Sequence, residues 1–207
     1  MWADLAEEAL DLRARLGFQG TGWVRVLPVY LLLIGIFGVF LPWQKGGDFL
    51  DSVMLGAYAC LGVVFAAPAA ASEFTTAPPL QKALVRVVIA VIYGALVAGM
   101  MLLLGLVTVY VSHGGRIVVG PDLNSLAACA VLGLTLSLAV SMAAVWLSVK
   151  FSPGAAKNVV RLVFFGLLAA FYFRSGWLPT VALRGAGIAL VASVLFLVLL
   201  RRESRKA

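Results

Sequence analysis

Residues Val87 to Ser112 read VVIAVIYGALVAGMMLLLGLVTVYVS, 26 positions without a charge. An α-helix rises 1.5 Å per residue, so about 20 such residues cross the roughly 30 Å hydrocarbon core of a bilayer. The stretch predicts a transmembrane helix. Working outward, the pattern recurs at Val26 to Trp43, Ser52 to Ser72, Leu123 to Val149, Val159 to Phe173 and Thr180 to Leu200. Six spans are expected. The fifth is short and begins beside Arg161, so it either uses the Gly176-Trp177-Leu178 turn to complete its depth or does not reach the far interface cleanly.

The whole chain agrees with this reading. Of 207 residues, 63% are hydrophobic and 12% charged, against roughly 45–50% and about 25% in soluble domains, and the mean hydropathy is +1.06. A soluble globular domain is excluded. The expected fold class is all-α: a polytopic membrane protein with six transmembrane helices and an N-terminal amphipathic cytoplasmic helix. Residues 1–22 would form that helix and a Gly-rich hinge, 23–200 the transmembrane domain and 201–207 a basic cytoplasmic tail.

A net charge of +7 and a pI near 9.9 raise the question of nucleic acid, but the positions of the charges answer it differently. With six spans, Arg13, Arg15, Arg25, Lys82, Arg86, Lys150, Lys157, Arg161, Arg201, Arg202, Arg205 and Lys206 share the side of the termini. Lys45, Arg116, Arg174 and Arg184 fall on the other. Cytoplasmic loops accumulate Lys and Arg, so both termini are expected in the cytoplasm, the chain being multi-pass in the inner (cytoplasmic) membrane. The partner implied is the lipid bilayer and not nucleic acid. Trp23 and Trp146 at inner ends, and Trp43 and Trp177 at outer ends, fit an aromatic belt. The charge-rich start and the lack of a small-residue cleavage site leave the first span as an anchor rather than a signal peptide.

Before that span, Trp2, Leu5, Ala9, Leu12 and Leu16 recur at three- and four-residue steps, the mark of an amphipathic helix. Asp4, Glu7, Glu8 and Asp11 lie toward its start, and Arg13 and Arg15 in its last turn, as the helix dipole favours. Asp11 is spaced to pair with Arg15. Such a helix can lie on the inner membrane surface or dock on a protein partner. Its acidic face departs from the Lys and Arg of membrane-surface helices.

Catalytic and cofactor chemistry is missing where it would be looked for. There is no GxxxxGK[ST] phosphate loop, no HExxH and no GxSxG. One histidine, His113, leaves no histidine-based metal site, and Cys60 and Cys129 sit in apolar runs without ligand spacing. No enzyme activity, metal or cofactor is expected of this chain. None of the nine acids lies mid-span, against an ion-coupled carrier.

Within the fourth span Ser125, Cys129, Gly133, Ser137 and Ser141 step by four along one stripe. Small residues at that spacing allow close helix approach. The stripe is either a packing seam or a wall of a translocation path. Gly185, Ala189 and Ser193 form a shorter stripe in the sixth span.

Between the second and third spans, Ser72-Glu73-Phe74-Thr75-Thr76-Ala77-Pro78-Pro79 must turn, because paired prolines cannot continue a helix. The layout resembles a known family. An amphipathic N-terminal helix, six spans, Glu73 just after the second, Pro and a basic residue leading into the third, Ser175-Gly176-Trp177-Leu178-Pro179 after the fifth and a last span ending Leu200-Arg201-Arg202 are similar to the type-2, export-type permeases of ABC transporters.

The resemblance implies a permease subunit moving a lipid-like or amphipathic substrate. It also implies a second permease copy, as a homodimer or related heterodimer, and a separate ATP-binding cassette ATPase subunit that hydrolyses the ATP. By the same resemblance Arg13 and Arg15, with Glu73, Phe74, Thr75 and Thr76, would contact the ATPase. The re-entrant region usual between the last two spans is reduced here to Arg174 to Pro179. The competing expectation is a non-transporting membrane scaffold or assembly subunit of a larger complex.

Overall fold

The computed structural model of the chain describes residues 6, 7, 10, 11, 23–46, 52–71, 79–115, 123–173 and 179–205. These are almost entirely helical. Residues 6, 7, 10 and 11 are helical, and six rods follow. The first, α1, is α-helix over Trp23–Leu33, π-helix over Ile34–Phe40 and α-helix again over Leu41–Lys45. The others are α2 (Ser52–Ala70), α3 (Leu80–Ser112), α4 (Leu123–Lys150), α5 (Pro153–Phe173) and α6 (Pro179–Ser204).

Leu80–Ser112, Asn124–Lys150 and Thr180–Ser204 are long and apolar enough to cross a membrane, whereas Tyr30–Lys45 and Met54–Ala70 are shorter apolar helices. The protein is thus a helical membrane protein with three helices of spanning length and hydropathy among the described residues, where the sequence leads one to expect six. The two shorter stretches lie within α1 and α2, which carry Pro28 and Pro68 inside the helix. A proline interrupts the backbone ladder at both places.

Helix ends also move, for identifiable reasons. Charges at Lys82 and Arg86 suggest a start for the third span at Val87, but the helix begins directly after Pro79, whose φ of −51° and ψ of 136° are extended. α5 begins at Pro153 rather than Val159. Proline suits the first helical position, and Ser152 caps the helix, its Oγ accepting the Ala155 N–H at 3.1 Å. α5 has 21 residues, and the Gly176-Trp177-Leu178 turn expected to complete its depth lies outside the described residues. Gly46, at φ 56°, ends α1, and Gly114 and Gly115, at φ 64° and 84°, end α3.

The core is organised around α2. Its sequence, SVMLGAYACLGVVFAAPAA, is apolar or small on every side, and a helix of that kind is buried all round. Cys60, Leu61, Val63, Ala66, Ala67 and Ala70 are all 0% exposed. α3, α4 and α5 pack against it, and α6 packs on α4. Small residues let the backbones close in: Gly133 of α4 faces Ala59, where a Cβ would lie 3.1 Å from the Ala59 Cα. One cluster joins Ala69 and Ala70 of α2, Val87 of α3, Val145 of α4 and Leu200 of α6. Another joins Ala71, Ala144, Ala156 and Val160. The last turns of α2, α4 and α6 therefore meet the first turns of α3 and α5 at one end of the bundle. Lys82, Arg86, Lys150, Arg201, Arg202 and Arg205 belong to this basic end.

Candidate functional site

The basic end gathers the polar contacts. Arg86, on α3, has a side chain only 5% exposed, and its Nη2 donates to Asp11 Oδ2 at 3.1 Å. A guanidinium cannot be deprotonated in a protein, so burying it demands a carboxylate partner. Asp11, near the N-terminus, supplies that partner and is thereby held against α3. Asp11 is thus used across 75 residues of sequence; Arg15, its expected i,i+4 partner, lies outside the described residues.

Beside it, the buried Ser148 of α4 places Oγ 2.8 Å from the Ala71 carbonyl oxygen and 2.7 Å from that of Ala144. One hydroxyl proton is shared between the two acceptors. Ala71 is the last described residue before the Glu73 stretch, and Ser148 ties it to α4. Lys150 Nζ reaches Glu203 Oε1 at 3.4 Å and ties α4 to α6.

The small-residue stripe of α4 runs inward from this end. Ser141 is fully buried, and its Oγ has no hydrogen-bond partner among the described residues. Ser137 is buried against Gly62, where a Cβ would come within 3.1 Å of the Ser137 Oγ. Gly133 faces Ala59, and Ser125 and Cys129 are half-buried. Cys129, Gly133 and Ser137 also border a cavity of about 250 Å³ between α2, α3 and α4, otherwise walled by Leu55, Tyr58, Ala98 and Leu102 among others. The stripe is therefore a seam over its length and a cavity wall over part of it. The shorter stripe packs as well: a Cβ on Gly185 would meet Leu132 Cδ1 at 3.1 Å, and Ser193 donates within its own helix to the Ala189 carbonyl at 2.8 Å.

No family model, curated protein or solved structure matches the chain. Its site is read from geometry. Arg13, Arg15, Glu73, Phe74, Thr75 and Thr76 lie outside the described residues. Their neighbours Asp11 and Ala71 lie inside them, and both are fixed at the basic end. Among the described residues no group of three His, Cys, Asp or Glu side chains is placed to hold a metal ion.

Sequence reasoning missed a second polar locus, in the π-helical turn of α1. There the Tyr58 hydroxyl donates to the Phe37 carbonyl, and Thr108 Oγ1 donates to the Gly38 carbonyl at 2.8 Å. Short π-helical stretches are rare and concentrate at functional sites. The hydroxyls from α2 and α3 satisfy main-chain acceptors at this turn. Nearby, the Tyr30 and Tyr93 hydroxyls bond to each other, and Phe65 packs on both rings at 5.2 and 6.3 Å. Tyr58, Tyr93 and Thr108 are among the few polar side chains of the spans, and that scarcity was the available signal.

Proposed function

We propose that this chain is the transmembrane permease subunit of an ATP-driven exporter of the type-2 ABC class, moving a lipid-like or amphipathic substrate. In this reading all six rods cross the inner membrane, the basic end is cytoplasmic with both termini, two permease copies form the pathway and a separate ATPase subunit docks on the basic end. The carrying observation is that Asp11 and Ala71, the described residues next to the two expected contact segments, are bound at the same end of the bundle, by Arg86 and by Ser148. A motor that pushes on those two segments would act directly on α2, α3 and α4. The substrate class is supported by the apolar walls of the cavity beside Tyr58 and Ser137; such walls suit a lipid tail better than a sugar or an ion.

The test is purification of the full chain with its native partners. Co-purification of an ATPase, lost in Glu73→Ala or on removal of residues 1–16, is the expected outcome. An ATPase that stays bound after both changes would put the docking surface elsewhere. Recovery of the chain in a stable assembly without any ATPase would instead identify a scaffold subunit.

A further inference from the structure

Serine and threonine hydroxyls within helices commonly turn back on the carbonyl four residues earlier, and Thr108, Thr135, Ser148 and Ser193 all do so here. Ser137 does not. It is 2% exposed, lies halfway along α4, and its Oγ makes no hydrogen bond to any described residue. A Cβ on Gly62 of α2 would come within 3.1 Å of that oxygen, and Gly62 and Ser137 both line the cavity of about 250 Å³ between α2, α3 and α4. The hydroxyl is thus aimed across the α2–α4 seam at one end of the cavity. A buried polar group left unpaired is costly and calls for a partner.

Shape and charge narrow what that partner is. Gly62, Ala95 and Ser137 stand near the middles of their helices, and from them the lining runs to Leu55, Leu102 and Leu126, away from the basic end. Along α4 this is about 16 Å, close to the roughly 15 Å of one leaflet's hydrocarbon. Ala130 and Leu134 are exposed, so the cavity opens sideways between α3 and α4. No charged side chain lines it. A phosphate, carboxylate or ammonium seated against Ser137 would be a buried charge without a countercharge, which an apolar interior disfavours, whereas a neutral oxygen needs only the one donor. Water is poorly served: a cavity water takes two to four polar partners, and beyond Ser137 the lining side chains offer the Cys129 thiol and the Tyr58 hydroxyl, which already donates to the Phe37 carbonyl. A larger groove of about 470 Å³ between α4, α5 and α6 is apolar throughout and presents no such hydroxyl.

We infer that the α2–α3–α4 cavity binds one uncharged amphiphile, a long-chain alcohol, ester or ketone, whose oxygen accepts a hydrogen bond from the Ser137 hydroxyl at mid-bundle and whose chain runs toward Leu55, Leu102 and Leu126. As the seat of the exported substrate it rests on the export reading and narrows it to neutral lipids; as a binding site it stands without any ATPase.

The full chain is reconstituted alone in phosphatidylcholine vesicles and photolabelled with hexadecanol, hexadecane or hexadecyl phosphate carrying the same mid-chain diazirine, and the labelled peptides are mapped. Hexadecanol labelling over residues 55–62, 95–102 and 126–137 is expected to exceed that by either other probe about fivefold, the weight of one neutral hydrogen bond, and unlabelled hexadecanol should compete it away. Ser137→Ala should bring hexadecanol down to the hexadecane level, while the variant without ligand unfolds no earlier than the parent, since no bond within the protein is lost. Gly99→Leu, which builds into open space on the cavity wall, should exclude all three probes. Equal labelling by hexadecanol and hexadecane that ignores Ser137→Ala overturns the assignment, as does stronger labelling by hexadecyl phosphate. Earlier unfolding of Ser137→Ala without ligand would show the hydroxyl held by water or backbone, and Leu134→Cys cross-linking between two copies with loss of label would make the opening an interface; either result overturns it. A chain that labels as expected yet co-purifies with no ATPase would refute the export reading and uphold this site.

Discussion

Gly94 of α3 touches Gly62 of α2 backbone to backbone: a Cβ on Gly94 would press into the Gly62 carbonyl oxygen and come within 2.9 Å of the Ala66 Cβ. Without side chains at this crossing the two helices approach closely, and α2 disappears into the interior. Gly99, five residues along the same helix, has nothing within 4 Å of such an atom. Gly94→Ala is therefore expected to cost about 1–3 kcal/mol, the range for overpacking a filled interior. Gly99→Ala should be near neutral or slightly stabilising. Thermal unfolding of the two variants in the same detergent separates them, and equal midpoints would mean that the crossing is not tight.

The Asp11–Arg86 pair should behave as a tether whose two ends are unequal. Arg86 is buried and Asp11 is 37% exposed at its side chain, so removing the acid leaves a buried cation, whereas removing both does not. Asp11→Ala should therefore destabilise more than the double variant with Arg86→Met, by about 1–3 kcal/mol. Proteolysis within the first 22 residues should rise in Asp11→Ala. Additive single effects in the double-mutant cycle would show that the pair carries no coupling.

Tyr58→Phe and Thr108→Val each remove one hydroxyl from the π-helical turn while keeping volume. Interhelical hydrogen bonds in membranes are worth about 0.6 kcal/mol on average and up to about 1.7, so each change should lower stability by that order. Amide hydrogen exchange should accelerate over Phe37 to Lys45 and leave α6 unaffected. Uniform acceleration, or none, would sink the idea that these hydroxyls hold the turn.

Ser148→Ala removes the hydroxyl that holds the Ala71 carbonyl. The expected effect is local: a loss of about 1 kcal/mol in stability, with faster protease cleavage in residues 72–78. Under the proposed function it should also weaken ATPase retention.

If all six rods cross, single cysteines at positions 82, 152 and 205 should react with an impermeant maleimide from one side of the membrane, and one at position 114 from the other. The native cysteines give low background, since Cys60 is buried and Cys129 half-buried. Position 152 reacting from the same side as position 114 would overturn the alternating arrangement.

Much of the scaffold was legible because apolar length is a local property. All six apolar runs became helices, and the largest boundary shifts are at the starts of α3 and α5, where Pro79 and Ser152 stand at the first turn. The sites were less legible. The stripe from Ser125 to Ser141 is visible as a spacing, but whether it faces lipid, a helix or a cavity depends on which helix lies opposite. The π-helical turn left no trace in periodicity, since Ile34–Phe40 reads like any apolar helix and Gly38 as a routine small residue.

The sequence by itself determined that this is a helical membrane protein with its positive charge at one end, because bilayer solvation acts on each segment independently of its neighbours. It determined also that no phosphate loop, HExxH or nucleophile-elbow motif is present. Only the tertiary structure decided that α2 is the central helix, that Asp11 belongs to Arg86, and that two apolar cavities flank α4. Those outcomes depend on how closely backbones can approach at Gly62, Gly94 and Gly133, and on which partner can reach a buried charge, both of which are properties of pairs of helices rather than of any one stretch of chain.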